Sequence, residues 1–126
     1  MSKPLYQKLY YKSGRAAVLN APEGFDLGVD VETAPEGKFD FVLVFAATAE
    51  QVLKWTAKVI PTLNEDAVFW VAYPKQSGKI KTDINRDILW RLMEGKTEYR
   101  IVSNVAVDDT WSALRFRHID KVKPRT

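Results

Sequence analysis

Two short segments that are almost entirely apolar constrain the fold of this 126-residue chain more than any other feature. Residues 39–46 contain a single polar side chain, that of Asp40, and residues 67–72 contain none. Both segments are rich in valine and aromatic residues, which favour strands. A strand that is apolar on both faces has to be covered on both sides, as in the parallel sheets of α/β proteins. The sequence therefore predicts two central strands with other elements packed on both faces.

Helical signals follow each of these strands. Thr48 and Gln51 have the spacing of a capping box, in which two side chains satisfy backbone groups at a helix start. For the second helix, Thr82 or Asp83 is the predicted cap and Gly95 marks the predicted end. The predicted apolar faces are Val52, Leu53, Thr56, Val59, Ile60 and Leu63 in the first helix, and Ile84, Ile88, Leu89 and Leu92 in the second.

The remaining segments complete an α/β order. A helical arm is predicted within residues 1–14, a strand over 15–20, an acidic connection over 21–38 and a frayed tail over 119–126. Two alternating segments, 101–107 and 111–118, are predicted to pair as an antiparallel hairpin at the edge of the sheet. We therefore expect one Rossmann-like α/β domain over residues 1–126, with a mainly parallel sheet flanked by helices and a C-terminal antiparallel hairpin.

The composition excludes several classes of site. The chain has no cysteine and one histidine, so disulfides, thiolate zinc sites, iron–sulfur clusters and cysteine nucleophiles are excluded. The formal net charge is +3, from 19 Lys and Arg against 16 Asp and Glu. Lysine, arginine and aspartate remain as the main polar candidates, which favours binding over catalysis. We predict no catalytic residue and no metal site, and the sequence indicates no particular cofactor.

The distribution of apolar residues also bears on location. The N-terminal residues lack the apolar stretch of a secretory signal. The longest apolar run, residues 41–47, has seven residues, whereas roughly 20 are needed to span a bilayer. We therefore expect a cytoplasmic protein that has no membrane contact.

The strongest candidate site is a basic loop over residues 75–83, which leaves a strand at its carboxyl end and enters a helix. Its lysines supply positive charge, its small residues allow close approach, and free N–H groups at a helix start favour anions. With the turn after the first strand included, the predicted ligand-binding residues are Asn20, Pro22, Tyr73, Lys75, Ser77, Lys79 and Asp83. The alternative is a solvated loop in which Asp83 is a structural cap.

The last predicted strand offers a second candidate site. Its alternation places Trp111, Arg115 and Arg117 on one face. Such a face could stack a base and bind phosphate, as proteins that bind single-stranded nucleic acids do. Ion pairs with acids such as Asp87 and Asp109 are the alternative, and the sequence favours them.

Residues 39–118 carry a resemblance to a known fold. A strand with the pattern F-D-x-V, a helix, a strand ending in Pro74, a second helix and a terminal hairpin are together similar to the second half of the class I methyltransferase fold. The resemblance implies a Rossmann-like arrangement and binding of S-adenosylmethionine at a glycine-rich turn. The corresponding turn here, residues 19–24, has one glycine and a proline, so a degenerate relative is the expectation.

A more specific set of residues resembles a family of small bacterial proteins of unknown function. The set is Trp70-x-x-Tyr73-Pro74-Lys75, Thr82-Asp83-x-x-Arg86-Asp87 and Asp108-x-x-Trp111 with the residues up to Arg117. This resemblance implies no activity. The leading hypothesis is a small bacterial domain that binds an anionic small molecule or a partner without catalysis. Single-stranded nucleic-acid binding and a degenerate methyltransferase-like enzyme are the alternatives, and the oligomeric state is left open.

Overall fold

Five strands form one sheet in the computed structural model, which describes residues 4–75 and 82–119. The strands are β1 (Ala16–Leu19), β2 (Phe39–Phe45), β3 (Leu63–Pro74), β4 (Tyr99–Ala106) and β5 (Trp111–His118). The helices are α1 (Leu5–Lys8), α2 (Ala49–Val59) and α3 (Arg86–Lys96), and a 3-10 turn over Ile60–Thr62 follows α2. Of the predicted N-terminal arm and C-terminal tail, residues 1–3 and 120–126 lie outside the described residues. The fold is α/β, with helices flanking the sheet.

The strand order is β1-β2-β3-β5-β4. The β1–β2 and β2–β3 pairs are parallel, whereas β3–β5 and β4–β5 are antiparallel. Strands β1 to β4 therefore run in one direction, and β5 alone runs against them. β5 turns back and inserts between β3 and β4, which leaves β4 at the edge and places β5 inside the sheet.

Each face of the sheet has its own apolar layer. On one face, α2 and α3 pack through buried residues that include Val52, Leu89 and Met93. On the other face, the N-terminal arm and the connection after β1 contribute Leu9 and Leu27. The central strands are buried from both sides, which confirms their prediction from the apolar runs.

The sequence predicts the start of α2 correctly, but not the start of α3. For α2, the hydroxyl of Thr48 accepts a hydrogen bond from the Gln51 N–H at 3.2 Å, as the capping-box spacing predicts. For α3, the side chain of Asn85 accepts from the Ile88 N–H at 2.9 Å, so the prediction of Thr82 or Asp83 as its cap is wrong. Within the described stretches of the chain, every helix is too short or too polar to cross a membrane.

The parallel pairing of β2 and β3 is interrupted near its start. Phe39 pairs with Leu63, but Phe41 pairs with Val68, so the longer β3 segment between these partners bulges out of the ladder. Asp66 lies in this bulge with φ at +55°, a conformation that non-glycine residues adopt rarely. The bulge thereby places the Asp66 side chain on the face that carries the N-terminal arm.

Candidate functional site

The carboxyl ends of β1 and β2 are joined by a predicted site residue. Asn20 follows β1 with φ at +57°, and its Nδ2 donates a hydrogen bond to the Phe45 carbonyl at 2.8 Å. Pro22 is half-buried in the same turn, where its carbonyl accepts from the Phe25 N–H at 3.2 Å. The Asn20 amide therefore holds two strand ends together.

The start of α2 is occupied by another predicted site residue. The Asp83 carboxylate accepts a hydrogen bond from the Ala49 N–H at 2.8 Å, although the two residues are 34 positions apart. Helix N-termini attract negative charge because their first N–H groups have no partner inside the helix. Asp83 thus acts as a structural cap on α2, whereas the anion was expected at the start of the helix that follows the basic loop, α3.

The remaining residues of the predicted basic-loop site are only partly described. Tyr73 is buried near the end of β3, and the Lys75 backbone N–H donates to the Thr110 carbonyl at 2.8 Å. Ser77 and Lys79 lie outside the described residues. The structure thus brings Tyr73 and Lys75 to one end of β3, and uses Asn20 and Asp83 for internal contacts.

The predicted exposed face of β5 is divided between two environments. Trp111 is only 8% exposed and packs edge-on against Phe45, with ring centroids 5.0 Å apart, so it offers no open face to a base. Within the predicted nucleic-acid or partner face of Trp111, Arg115 and Arg117, Trp111 thus lies in the interior. The arm and the connection after β1 cover this end of the β5 face.

Arg117 and Arg115 lie at the other end of this β5 face. Arg117 pairs with Asp66, through contacts of 3.0 Å from Nε and 2.7 Å from Nη2 to the two carboxylate oxygens. Ion pairing was the favoured expectation for this face, but Asp87 and Asp109 were the expected partners. Asp66 takes that place because the β3 bulge brings it beside β5.

Beside this ion pair is a cavity of about 320 Å³, which we call the Arg115 groove. It is lined by residues 10–13 of the N-terminal arm, Asp40 and Phe41 of β2, Asp66 and Val68 of β3, and Arg115 of β5. The groove therefore combines a cation, carboxylates and aromatic walls, and it lies away from the predicted loop site.

Arg115 is the least satisfied polar side chain of the groove. Its Nε is buried and has no hydrogen-bond partner among the described residues. Its Cζ lies 5.3 Å from the ring centroid of Tyr10, in the range of a cation–π contact. Burial lowers the pKa of the Arg115 guanidinium from its usual value, and the charge of Arg117 lowers that pKa further. A buried donor on a cation is costly unless an acceptor reaches it.

Backbone strain is concentrated around the groove. Of the three described non-glycine residues with positive φ, Tyr10 at +65° and Asp66 at +55° both line it. The Tyr10 ring is 48% exposed and stacks on Trp70, whose indole N–H donates to the Leu9 carbonyl at 2.8 Å. Strained residues held by tertiary contacts are enriched at binding sites. The arm is therefore fixed as a wall of the groove.

Asp40 is positioned on the groove by backbone and side-chain donors. Its Oδ1 accepts from Asn64 Nδ2 at 2.9 Å, and its Oδ2 accepts from the Arg15 N–H at 3.3 Å. Gly14, with φ at +91°, allows this close approach, because a Cβ there would lie 2.0 Å from Oδ2. The carboxylate is thus held in one place by the fold.

No protein-family model and no curated protein sequence matches this chain. Of the groove residues, the sequence pattern singled out only Arg115. Tyr10 and Asp40 gave weak signals, a tyrosine in a predicted arm and the single polar residue of an apolar strand. Asp66 gave none, because its place depends on a bulge that periodicity does not encode.

Proposed function

We propose that this chain is a non-catalytic binding domain for an anionic small molecule, and that Arg115 binds the anion. The observation that carries the proposal is the buried Arg115 Nε–H, which has no acceptor among the described residues. A carboxylate or phosphate oxygen would satisfy that donor with a charge-assisted hydrogen bond, which is stronger than a neutral one, once the Arg115 side chain turns to expose it to the groove. Planar anions suit a guanidinium because two oxygens can be bound at once.

The size and rim of the Arg115 groove support a small ligand. Its volume of about 320 Å³ is at the lower end of ligand pockets, which span roughly 300–1,000 Å³. Lys12 and Ser13 of the arm lie on its rim and are exposed. They add a positive charge and a hydroxyl on the side from which an anion would enter.

Binding is favoured over catalysis by the kind of groups in the groove. Acid–base catalysis needs a group that gains and loses a proton near the working pH. The carboxylates of Asp40 and Asp66 are already engaged by donors of the fold. His118 lies elsewhere, 3.9 Å from Glu98 and edge-on to Tyr99.

We also propose a methyltransferase-like relationship, which concerns the arrangement of the strands. It is supported by the antiparallel β4 and β5 that follow α3, as the Rossmann-like resemblance implies. The Asn20 amide argues against cofactor binding at the turn after β1, because it already donates a hydrogen bond to the Phe45 carbonyl. Titration with S-adenosylmethionine tests this alternative directly, and saturable binding lost in Asn20→Leu would favour it.

The proposed function is tested by calorimetric titration with acetate, 3-phenylpropionate and inorganic phosphate at constant ionic strength. We expect at least one of them to bind the wild-type protein and to lose about tenfold or more in affinity in Arg115→Met, because a charge-assisted hydrogen bond is removed. The matched control is Arg86→Met, which removes an exposed arginine of α3. Equal binding by both variants, or none by the wild-type protein, contradicts the proposal. Salt-sensitive binding of a single-stranded oligonucleotide instead would favour the nucleic-acid alternative.

A further inference from the structure

The charges of the Arg115 groove are mixed. Arg115 and Lys12 contribute positive charge, but Asp40 and Asp66 contribute two carboxylates to the same lining. A ligand with several negative charges, such as a phosphate, meets both carboxylates when it approaches Arg115. A ligand that carries one anionic and one cationic group meets a partner for each, so mixed charge discriminates between these classes.

Asp40 is the carboxylate best placed to take a cationic group. Its two oxygens each accept one hydrogen bond from the fold, from Asn64 and from the Arg15 backbone. An ionised carboxylate has about four acceptor sites, so two remain for a ligand. The fixed position of Asp40 against Gly14 means that little ordering is required on binding.

The other walls of the groove are apolar or aromatic. Tyr10 and Tyr11 come from the arm, and Phe41 and Val68 come from β2 and β3. Tyr11 is anchored, since its hydroxyl donates to the Gly14 carbonyl at 2.8 Å and its ring packs edge-on against Phe41. These walls suit an apolar or aromatic body, because burial of apolar surface is favourable.

We infer that the groove binds a small zwitterion of the α-amino acid class with an apolar side chain. This inference rests on the proposed function. The ligand carboxylate lies against Arg115, the ammonium against Asp40 and the side chain against the tyrosines. This assignment excludes a dianion as the preferred ligand.

Three related probes test the assignment by calorimetry. L-phenylalanine carries both charged groups, 3-phenylpropionate only the carboxylate and phenethylamine only the ammonium. We expect L-phenylalanine to bind the wild-type protein about tenfold more tightly than either of the others, since each lacks one charged hydrogen bond. Asp40→Asn should remove that advantage over 3-phenylpropionate, and 3-phenylpropionate should bind this variant at least as tightly as the wild-type protein because a repulsive charge is removed. Asp87→Asn, an exposed acid on α3, is the matched control.

The outcomes separate the two proposals. If 3-phenylpropionate binds as tightly as L-phenylalanine and both need Arg115, the zwitterion assignment is wrong and the anion-binding function stands. If Asp40→Asn weakens the binding of L-phenylalanine and of 3-phenylpropionate equally, the assignment is likewise wrong. If L-phenylalanine, 3-phenylpropionate, acetate and inorganic phosphate all fail to bind in an Arg115-dependent way, both proposals are overturned. The comparison of probes on the wild-type protein holds even where a variant fails to fold.

Discussion

Arg117 and Asp66 form a two-point ion pair, in which Nε and Nη2 of the guanidinium lie 3.0 and 2.7 Å from the two carboxylate oxygens. Arg115 lies two residues away on the same face of β5, and its buried Nε has no partner among the described residues. The two arginines therefore differ in electrostatic environment, although they share a strand and a face. The positive charge of Arg117 adds to the cost of burying Arg115.

This difference predicts opposite effects on stability. Arg115→Met removes an unsatisfied buried donor, so the free energy of unfolding should stay the same or rise by up to about 1 kcal/mol. Arg117→Met breaks a pair whose side chains are about one-third exposed, and should lower that free energy by roughly 1 kcal/mol. Urea unfolding of both variants measures the difference. A greater loss in Arg115→Met than in Arg117→Met would show that Arg115 stabilises the fold.

The close approach of Asp40 to Gly14 predicts different stabilities for two glycine variants. Gly24 has φ at +81° and nothing within 4 Å of a Cβ, so Gly24→Ala reports the backbone strain alone. We expect it to lower the free energy of unfolding by about 1 kcal/mol. Gly14→Ala adds a clash with the Asp40 carboxylate and should lower it by about 2 kcal/mol or more. Equal losses in the two variants would mean that Asp40 is not fixed against Gly14.

Capping of α2 by Asp83 predicts a third effect. Asp83→Ala should lower the free energy of unfolding by about 1 kcal/mol, since a helix N-terminal N–H loses its acceptor. Hydrogen exchange of the Ala49 amide should also become faster in this variant. Asp109→Ala, in the exposed turn between β4 and β5, serves as the control. If both variants are equally stable and Ala49 exchanges as before, the cap has no energetic role.

The Arg15–Glu32 pair predicts a dependence of stability on pH. Hydrogen bonds from Arg15 lower the pKa of the Glu32 carboxyl from its usual value. The stabilisation is therefore present above the unfolded pKa of about 4.3 and is lost as the pH falls through the lower folded value. Glu32→Gln should lose less stability than the wild-type protein over that acidic interval. The free energy of unfolding of both proteins can be measured with urea from pH 5 to pH 3. If it falls equally steeply with decreasing pH in the two proteins, this prediction is wrong.

Part of the fold follows from local patterns. The apolar runs identify β2 and β3 because their burial on both faces, seen in Leu43 and Val44, leaves no polar side. The Thr48 capping box identifies the start of α2 because its partners are three residues apart. In both cases, the information lies within a few residues of the element concerned.

Long-range pairing could not be predicted in the same way. Alternation in β5 shows which of its residues share a face, but it does not show that β5 pairs with β3 and buries Trp111. Asp83 caps a helix that begins 34 residues before it, and Asp66 reaches Arg117 only through a bulge. The candidate site depends on these contacts, so sequence alone supplied Arg115 without its surroundings.

The most direct test of the anion-binding claim is the NMR signal of the arginine Nε–H groups during titration with L-phenylalanine and 3-phenylpropionate. Arg115 Nε has no partner among the described residues, whereas Arg117 Nε already donates to Asp66 and Arg15 Nε to Glu32. Anion binding at Arg115 should give a saturable shift of the Arg115 signal while the signals of Arg117 and Arg15 stay in place. An unchanged Arg115 signal, or equal and unsaturable shifts of all three, would contradict it.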